Sequence, residues 1–444
     1  MRIPLHSKAL ILAGTAALSL SQTAHSSMGN LATTYGLLPS DMSTAQSYSL
    51  FNTQVSAAYY NPAALALSDK GNLTLGMLQA TPALTVDSQG GENAPVRTGN
   101  VLESEQTETM LFGMKTNITS LTKFKKPVYL AVIGGVEQYG SEMLAFESES
   151  SNDGQFMQYG QKPLFLAVSG AMNIIDGIEV GLGMRVTLHA NATLTLETDL
   201  AGNTSSENPN VSAEPVFIPV AGAHFDMDSL LCDEETACLW SGLDLAVSYR
   251  GSSNTQTTVD ATATIPGTVT DPGLPLVVNT LDAYQPMILS FGAKYQLLEG
   301  WDVAATLEYQ NWSSLTDELK KDTVKDQAQL QFDDVFIPRV GSQFQFNDTL
   351  TLSAGASYET SSLATTTSDE VNLFDNDRVV VAAGFTQMYT QTKLLAFPLQ
   401  IDGAYQYHHL IERDFSLSSG GTVFENVTTG GDAHVFSLSL SMMF

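Results

Sequence analysis

The last ten residues, Val435-Phe436-Ser437-Leu438-Ser439-Leu440-Ser441-Met442-Met443-Phe444, decide the fold class. Phe436, Leu438, Leu440, Met442 and Phe444 alternate with Val435, Ser437, Ser439, Ser441 and Met443. Side chains of an extended strand point to opposite faces in turn, so this spacing puts the first set on one apolar face. An aromatic residue closing such a strand resembles the signal by which bacterial barrel proteins are recognised for assembly, which makes the barrel assembly machinery an expected partner of Phe444.

The alternation returns upstream. Val180, Leu182, Met184, Val186 and Leu188 alternate with Gly181, Gly183, Arg185, Thr187 and His189. Met287, Leu289, Phe291, Ala293 and Tyr295 form a second such face. Trp301, Val303, Ala305, Leu307 and Tyr309 form a third, and Leu350, Leu352, Ala354, Ala356 and Tyr358 a fourth. Several faces end in Tyr or Trp, where an interfacial aromatic girdle would sit. Segments of this kind from Asn72 onward number about fourteen, an even count as single-chain barrels require. The third is read over residues 128–139.

Long connections are expected over 87–105, 140–161, 201–214, 259–283, 313–334, 360–377 and 416–432, with short links between them at 173–177, 298–300 and 347–348. Long extracellular loops and short periplasmic turns give this rhythm, and it ends the last strand in the periplasm. The expected fold is all-β, a transmembrane antiparallel β-barrel over residues 71–444 in a Gram-negative outer membrane.

The chain has 444 residues, 43% of them hydrophobic. No stretch after the N-terminus is long and apolar enough for a membrane helix. Arg2 and Lys8 precede an apolar run over residues 9–20, and Ala24-His25-Ser26 offers small residues to a signal peptidase, so 1–26 reads as a signal peptide. Residues 27–70 fit neither pattern. They contain Tyr35, Tyr48, Phe51, Tyr59 and Tyr60, with a loosely helical stretch over 56–67. A plug in the lumen explains them, because irregular backbone at membrane depth must be surrounded by protein or cavity. A disordered periplasmic tail is the other reading.

The net charge is −28, with acidic residues gathered in turn-rich stretches such as 142–153 and 366–377. Such a surface repels nucleic acid and suits divalent cations at a lipopolysaccharide surface, beside outer-membrane lipids. The only cysteines, Cys232 and Cys238, would pair in an oxidising compartment, and they are too few for a zinc site. There is no Walker loop, dinucleotide fingerprint or Gly-x-Ser-x-Gly elbow, so no cofactor or metal is expected and the chain does not read as an enzyme. His408, His409 and His434 are the candidate bases for an outer-membrane lipase, but His408 and His409 point to opposite faces of one strand. Strand phase turns Arg185, Lys294 and Arg339 into the lumen as possible ligand contacts, with Asp244 or Glu308 as alternative partners.

Tyr59-Tyr60-Asn61-Pro62-Ala63-Ala64-Leu65 resembles the N-terminal hatch of the FadL/TodX family of outer-membrane transporters. Residues 285–292, 308–313, 337–341 and 377–379 resemble further landmarks of that family in the expected order. The resemblance implies a plugged, monomeric barrel of fourteen strands that takes up long-chain fatty acids, alkanes or aromatic hydrocarbons passively. It also implies a hatch at Asn61, Pro62 and Ala63, and a lateral exit at an inward kink of the third strand, where Gly134 and Gly135 would allow the bend. Such a route suits apolar cargo, since each CH₂ in water costs roughly 0.8 kcal/mol. A surface adhesin or phage-receptor barrel is the alternative from another class.

Overall fold

The computed structural model describes residues 31–91, 96, 107–136, 164–198, 204–232, 238–265, 269–320, 330–369, 374–391, 396–419 and 422–444. Fourteen strands make the wall: β1 Asn72–Gly90, β2 Thr107–Asn117, β3 Val128–Val136, β4 Leu164–Ile175, β5 Ile178–Thr198, β6 Thr204–Asp226 and β7 Leu243–Arg250. The second half is β8 Met287–Leu298, β9 Trp301–Asn311, β10 Val335–Asn347, β11 Leu350–Glu359, β12 Arg378–Tyr389, β13 Leu399–Ser419 and β14 Thr422–Met443. Each is antiparallel to the next, and β1 pairs with β14 from Asn72↔Met443 to Gly90↔Asn426, closing the cylinder. Gly71 and Phe444 seal the seam with two reciprocal backbone hydrogen bonds of 2.7 and 2.9 Å. A closed sheet leaves no unpaired edge in hydrocarbon, where each orphan polar group would cost several kcal/mol.

The faces are sorted as the period-two reading requires. Phe436, Leu438 and Leu440 stand out from the wall, while Ser437, Ser439 and Ser441 are buried inside. Leu73, Leu75 and Met77 of β1 and Met110, Phe112 and Met114 of β2 continue the outer apolar belt. Polar-in and apolar-out is the inverse of a soluble core and the signature of a wall in lipid.

Three of the expected loops are strand instead. β5 and β6 run on as a ladder to Thr198↔Thr204, and β13 and β14 to Ser419↔Thr422. Residues 253–285 form a hairpin, Ser253–Ile265 with Val269–Gln285, whose first strand also lies parallel to β5. Thr- and Val-rich β-formers keep these stretches extended, although the sequence there lacks the strict apolar alternation of the membrane-level strands. The hairpin and a short strand, Thr367–Asp369, lie outside the ring of fourteen. The expected signal peptide, and residues 137–139 of the expected third strand, lie outside the described residues.

The end that carries Phe444 has tight connections. The turns after β4 and β8 each place a glycine at positive φ, Gly177 at +84° and Gly300 at +75°, which a Cβ would oppose. The longest connection at this end, after β6, holds a short helix, Met227–Leu231, and a disulfide between Cys232 and Cys238.

Residues 33–65 are buried almost without exception, although their backbone is mostly turns and single-turn helices. The wall encloses them. Leu38 packs on Gly76 of β1, Val55 on Gly113 of β2, Pro62 on Gly181 of β5, Ser47 on Gly341 of β10 and Ser43 on Gly384 of β12. Glycines on the inner face of the wall are thus sockets into which this segment fits. The tightest backbone approach is at Gly355 of β11, where a Cβ would lie 2.2 Å from the carbonyl oxygen of Thr44. Gly355→Ala is therefore expected to lower stability by about 1–3 kcal/mol. Thermal unfolding of the detergent-solubilised protein measures the loss, and hydrogen exchange should rise selectively around Thr44.

Candidate functional site

Five inward-facing residues on the wall carry alternating charge: Arg250 at the end of β7, Glu308 on β9, Arg339 on β10, Glu359 on β11 and Arg378 at the start of β12. All five are buried. Arg250 bonds Glu308, and Arg339 Nη1 donates to Glu359 Oε1 at 2.9 Å. Arg378 bonds the other oxygen of Glu359, and Arg339 Nη2 lies 3.7 Å from Glu308 Oε1. Charges removed from water are tolerated only when neighbours compensate them, and here each carboxylate is shared by two guanidinium groups.

This band grips the inner segment. Arg339 Nη1 also donates to the carbonyl of Ala45 at 3.3 Å. Ala45 and its neighbour Gln46 have φ of 48° and 66°, a left-handed pair that non-glycine residues adopt only when held. The Gln46 side chain helps by donating to Thr33 O at 2.9 Å. Arg250 lies over the rings of Tyr59 and Tyr60 at 5.2 and 5.3 Å, and Arg185 lies over Tyr59 at 5.8 Å. Other wall side chains serve the segment's carbonyls: Thr306 donates to Ser47 O, Gln406 to Tyr35 O and Met42 O, Ser169 to Ala58 O, and Lys115 to Thr53 O and Ser68 O. Irregular backbone at membrane depth needs such donors, and the wall supplies them.

Asn61 organises the tripeptide. Its Oδ1 accepts from Ala63 N at 3.2 Å, and its Nδ2 donates to Leu50 O at 2.7 Å. The tripeptide stands against β5 and β6: a Cβ on Gly222 would lie 1.9 Å from Asn61 Oδ1, and one on Gly181 would lie 2.4 Å from Ala63 N. The turn after it reaches β3 and β4, where Ala64 and Leu65 pack with Tyr129, Ala131, Ile133 and Ala167. On β3, Gly134 faces outward beneath Phe112 and Gly135 inward. Both pair with β2 and with β4, and neither ladder shows a register shift as far as Val136.

Arg185, Lys294 and Arg339 all face the lumen, but on different sides of it. Arg185 bonds the amide oxygen of Gln285, and Lys294 pairs with Asp244 at 2.6 Å. Arg250, Glu359 and Arg378 escaped the sequence reading. Their phase was available, since Arg250 shares a face with Ser248 and Glu359 with Ser357. His408 is buried against Tyr35 and bonds Gln406, whereas His409 faces outward to Asp432 at 2.7 Å.

Above the charged band the interior is apolar. Trp312, Leu315, Leu319, Phe332, Leu363, Phe374 and Phe415, mostly from the long connections, form one cluster with Tyr35 and Met42. Trp312 Nε1 donates to Gln310 Oε1 at 2.7 Å, and Gln310 Nε2 to Glu308 Oε1 at 2.7 Å, linking greasy chamber to charged band. A narrow cavity at this boundary is lined by Thr33, Trp312, Ile337, Glu359 and Arg378.

Residues 246–444 match the family described as outer membrane protein transport protein (OMPP1/FadL/TodX). Over 432 residues the chain is 44% identical to alkane uptake protein A of Marinobacter nauticus, covering 96% of this chain and 94% of that one. The chain belongs to the FadL/TodX family. Its fold is similar to the crystal structure of a Pseudomonas aeruginosa FadL homologue, with a TM-score of 0.60 at 15% identity over 94% of this chain and 99% of that one. It is also similar to the P. putida toluene transporter TodX, with a TM-score of 0.52 at 12% identity over 93% and 99% of the two chains. Like the family it joins, this barrel is a multi-pass protein of the outer membrane.

Two expectations follow for stability. Glu359→Ala leaves Arg339 and Arg378 without their shared carboxylate and should cost about 3 kcal/mol or more, Glu359→Gln distinctly less, by urea unfolding. In the inner segment, burial raises the Asp41 carboxyl to about 6 despite hydrogen bonds from Asn52 and Ser56. A carboxyl raised on folding contributes stability below its unfolded value near 3.8, and that contribution is lost as pH rises through about 6. Asp41→Asn should therefore flatten the fall in unfolding midpoint between pH 5 and pH 8.

Proposed function

We propose that this outer-membrane transporter of hydrophobic compounds takes up neutral hydrocarbons, alkanes foremost, by passive diffusion. The observation that carries this reading is the state of four wall cations, while Arg185 bonds Gln285 and lies over Tyr59, and Lys115 bonds the carbonyls of Thr53 and Ser68. Arg250, Arg339, Arg378 and Lys294 each hold a carboxylate of the wall. A fatty-acid head group brought into the lumen would need a cation of its own to offset desolvation. An alkane needs only the apolar chamber around Trp312, Phe332 and Phe374. The 44% identical relative bears the name alkane uptake protein A, which supports the same cargo class.

In this reading residues 27–70 are the hatch domain, with Asn61, Pro62 and Ala63 as its latch, and cargo leaves sideways at β3. The packing of Tyr59, Tyr60 and Leu65 on Tyr129, Ala131 and Ile133 supports that side, because moving the hatch would bare this stretch of wall. Gly134 and Gly135 add no side chain of their own to the wall there, and the Phe112 ring covers Gly134 from outside. One barrel, closed on itself, serves as the transporting unit.

The test is uptake of labelled hexadecane, palmitate and toluene by a strain lacking the gene, complemented with wild type or with Gly222→Ala. Wild type should restore hexadecane uptake several-fold more than palmitate uptake. Gly222→Ala, whose methyl meets Asn61, should change uptake while the barrel still shows heat-modifiable gel migration. Unchanged hexadecane uptake in the deletion strain would remove the transport reading, and equal dependence of palmitate would remove the neutral cargo.

A further inference from the structure

The connection between β2 and β3, residues 118–127, is unlike the rest of this acidic chain. It carries Lys123, Lys125 and Lys126 and no carboxylate, in a protein with 19 basic residues and a net charge of −28. Beside and between the lysines stand two apolar side chains in the open: Leu121, just before them, is 83% exposed, and Phe124, among them, 59%. Exposed apolar residues on the strands belong to the lipid belt, but these sit on a turn.

The turn is built rather than loose. Asn117 Oδ1 accepts from Thr119 N, and Thr119 Oγ1 accepts from Val128 N, both at 2.9 Å. Thr122 Oγ1 accepts from Phe124 N at 3.3 Å, and Lys126 is braced on Asp176 of the adjacent turn at 2.5 Å. Lys123 and Lys125 remain exposed. The place is defined by the ladders: β2 enters the turn two residues past Lys115, which pairs with Asn72, and Asn72 pairs with Met443. The turn therefore stands at the Phe444 end, beside the edge of the apolar belt marked by Leu73, Met114 and Phe444.

We propose that this turn is a docking site for anionic phospholipid of the inner leaflet of the outer membrane. Charge complementarity selects the occupant: clustered ammonium groups attract phosphate, and each adds roughly 1 kcal/mol, about fivefold, near an anionic surface. Leu121 and Phe124 favour lipid over an acidic protein, since the turn stands beside the belt's edge, where apolar groups enter the headgroup boundary and lysine stems reach to the phosphates. The inference rests on the outer-membrane reading with the Phe444 end in the periplasm.

The experiment uses the full chain, purified and shown to be assembled by heat-modifiable migration, in nanodiscs of phosphatidylethanolamine with a minority of phosphatidylglycerol. Lipids retained through detergent extraction are counted by mass spectrometry. Wild type should retain phosphatidylglycerol over its bulk proportion, the more so at low salt. Lys123→Gln with Lys125→Gln should cut that enrichment by about an order of magnitude. Leu121→Ser with Phe124→Ser should lower retention of both lipids, and Lys320→Gln, on the opposite end, should change nothing. Absence of enrichment in wild type, enrichment unchanged in the lysine variant, or capture of an acidic protein without lipid selectivity would overturn the proposal. Hexadecane uptake in the same variants reads the transport function separately, so failure of one is not mistaken for failure of the other.

Discussion

No water reaches the hydrocarbon layer to hydrogen-bond an open backbone, and the rest of this structure answers that constraint. The wall satisfies it by closing: fourteen ladders hand on every strand edge, and Gly71 with Phe444 completes the ring. The inner segment meets it differently. Its turns form no ladder, so Arg339, Thr306, Gln406, Ser169 and Lys115 reach from the wall to its carbonyls. The polar inner face is thus a complement to an irregular segment as much as a surface for water.

The same economy shapes the lumen's electrostatics. Arginines that hold the segment must themselves be compensated, and Glu308 and Glu359 do this from neighbouring strands. Cations committed to the wall and to Tyr59, Tyr60 and Ala45 are not ligands in waiting. Above the band lies the apolar chamber around Trp312, Phe332 and Phe374.

The membrane-level wall was legible because lipid on one side and lumen on the other force a period of two, as in Leu438-Ser439-Leu440-Ser441. Above the membrane the sequence keeps no such strict alternation, so 201–214, 259–283 and 416–432 read as loops although strands run into all three. The lumen orientation of Arg185, Lys294 and Arg339 followed from strand phase alone. Their partners did not, because Arg339 and Glu359 are twenty positions apart and meet only through the β10–β11 register. Arg250 and Arg378 stand at strand ends, so their phase is set by neighbours on one side only.

By itself the sequence determined the wall: strand count, facing, closure by an aromatic C-terminus, and the family through the segment around Asn61-Pro62-Ala63. These are local properties, carried by residues two apart or side by side. The tertiary structure alone decided that Gly181 and Gly222 receive that tripeptide, that Arg250, Glu308, Arg339, Glu359 and Arg378 form one band, and that its cations are already matched. Such facts depend on which strands a closed sheet makes neighbours, and on what lies against them from within. No spacing along the chain encodes that.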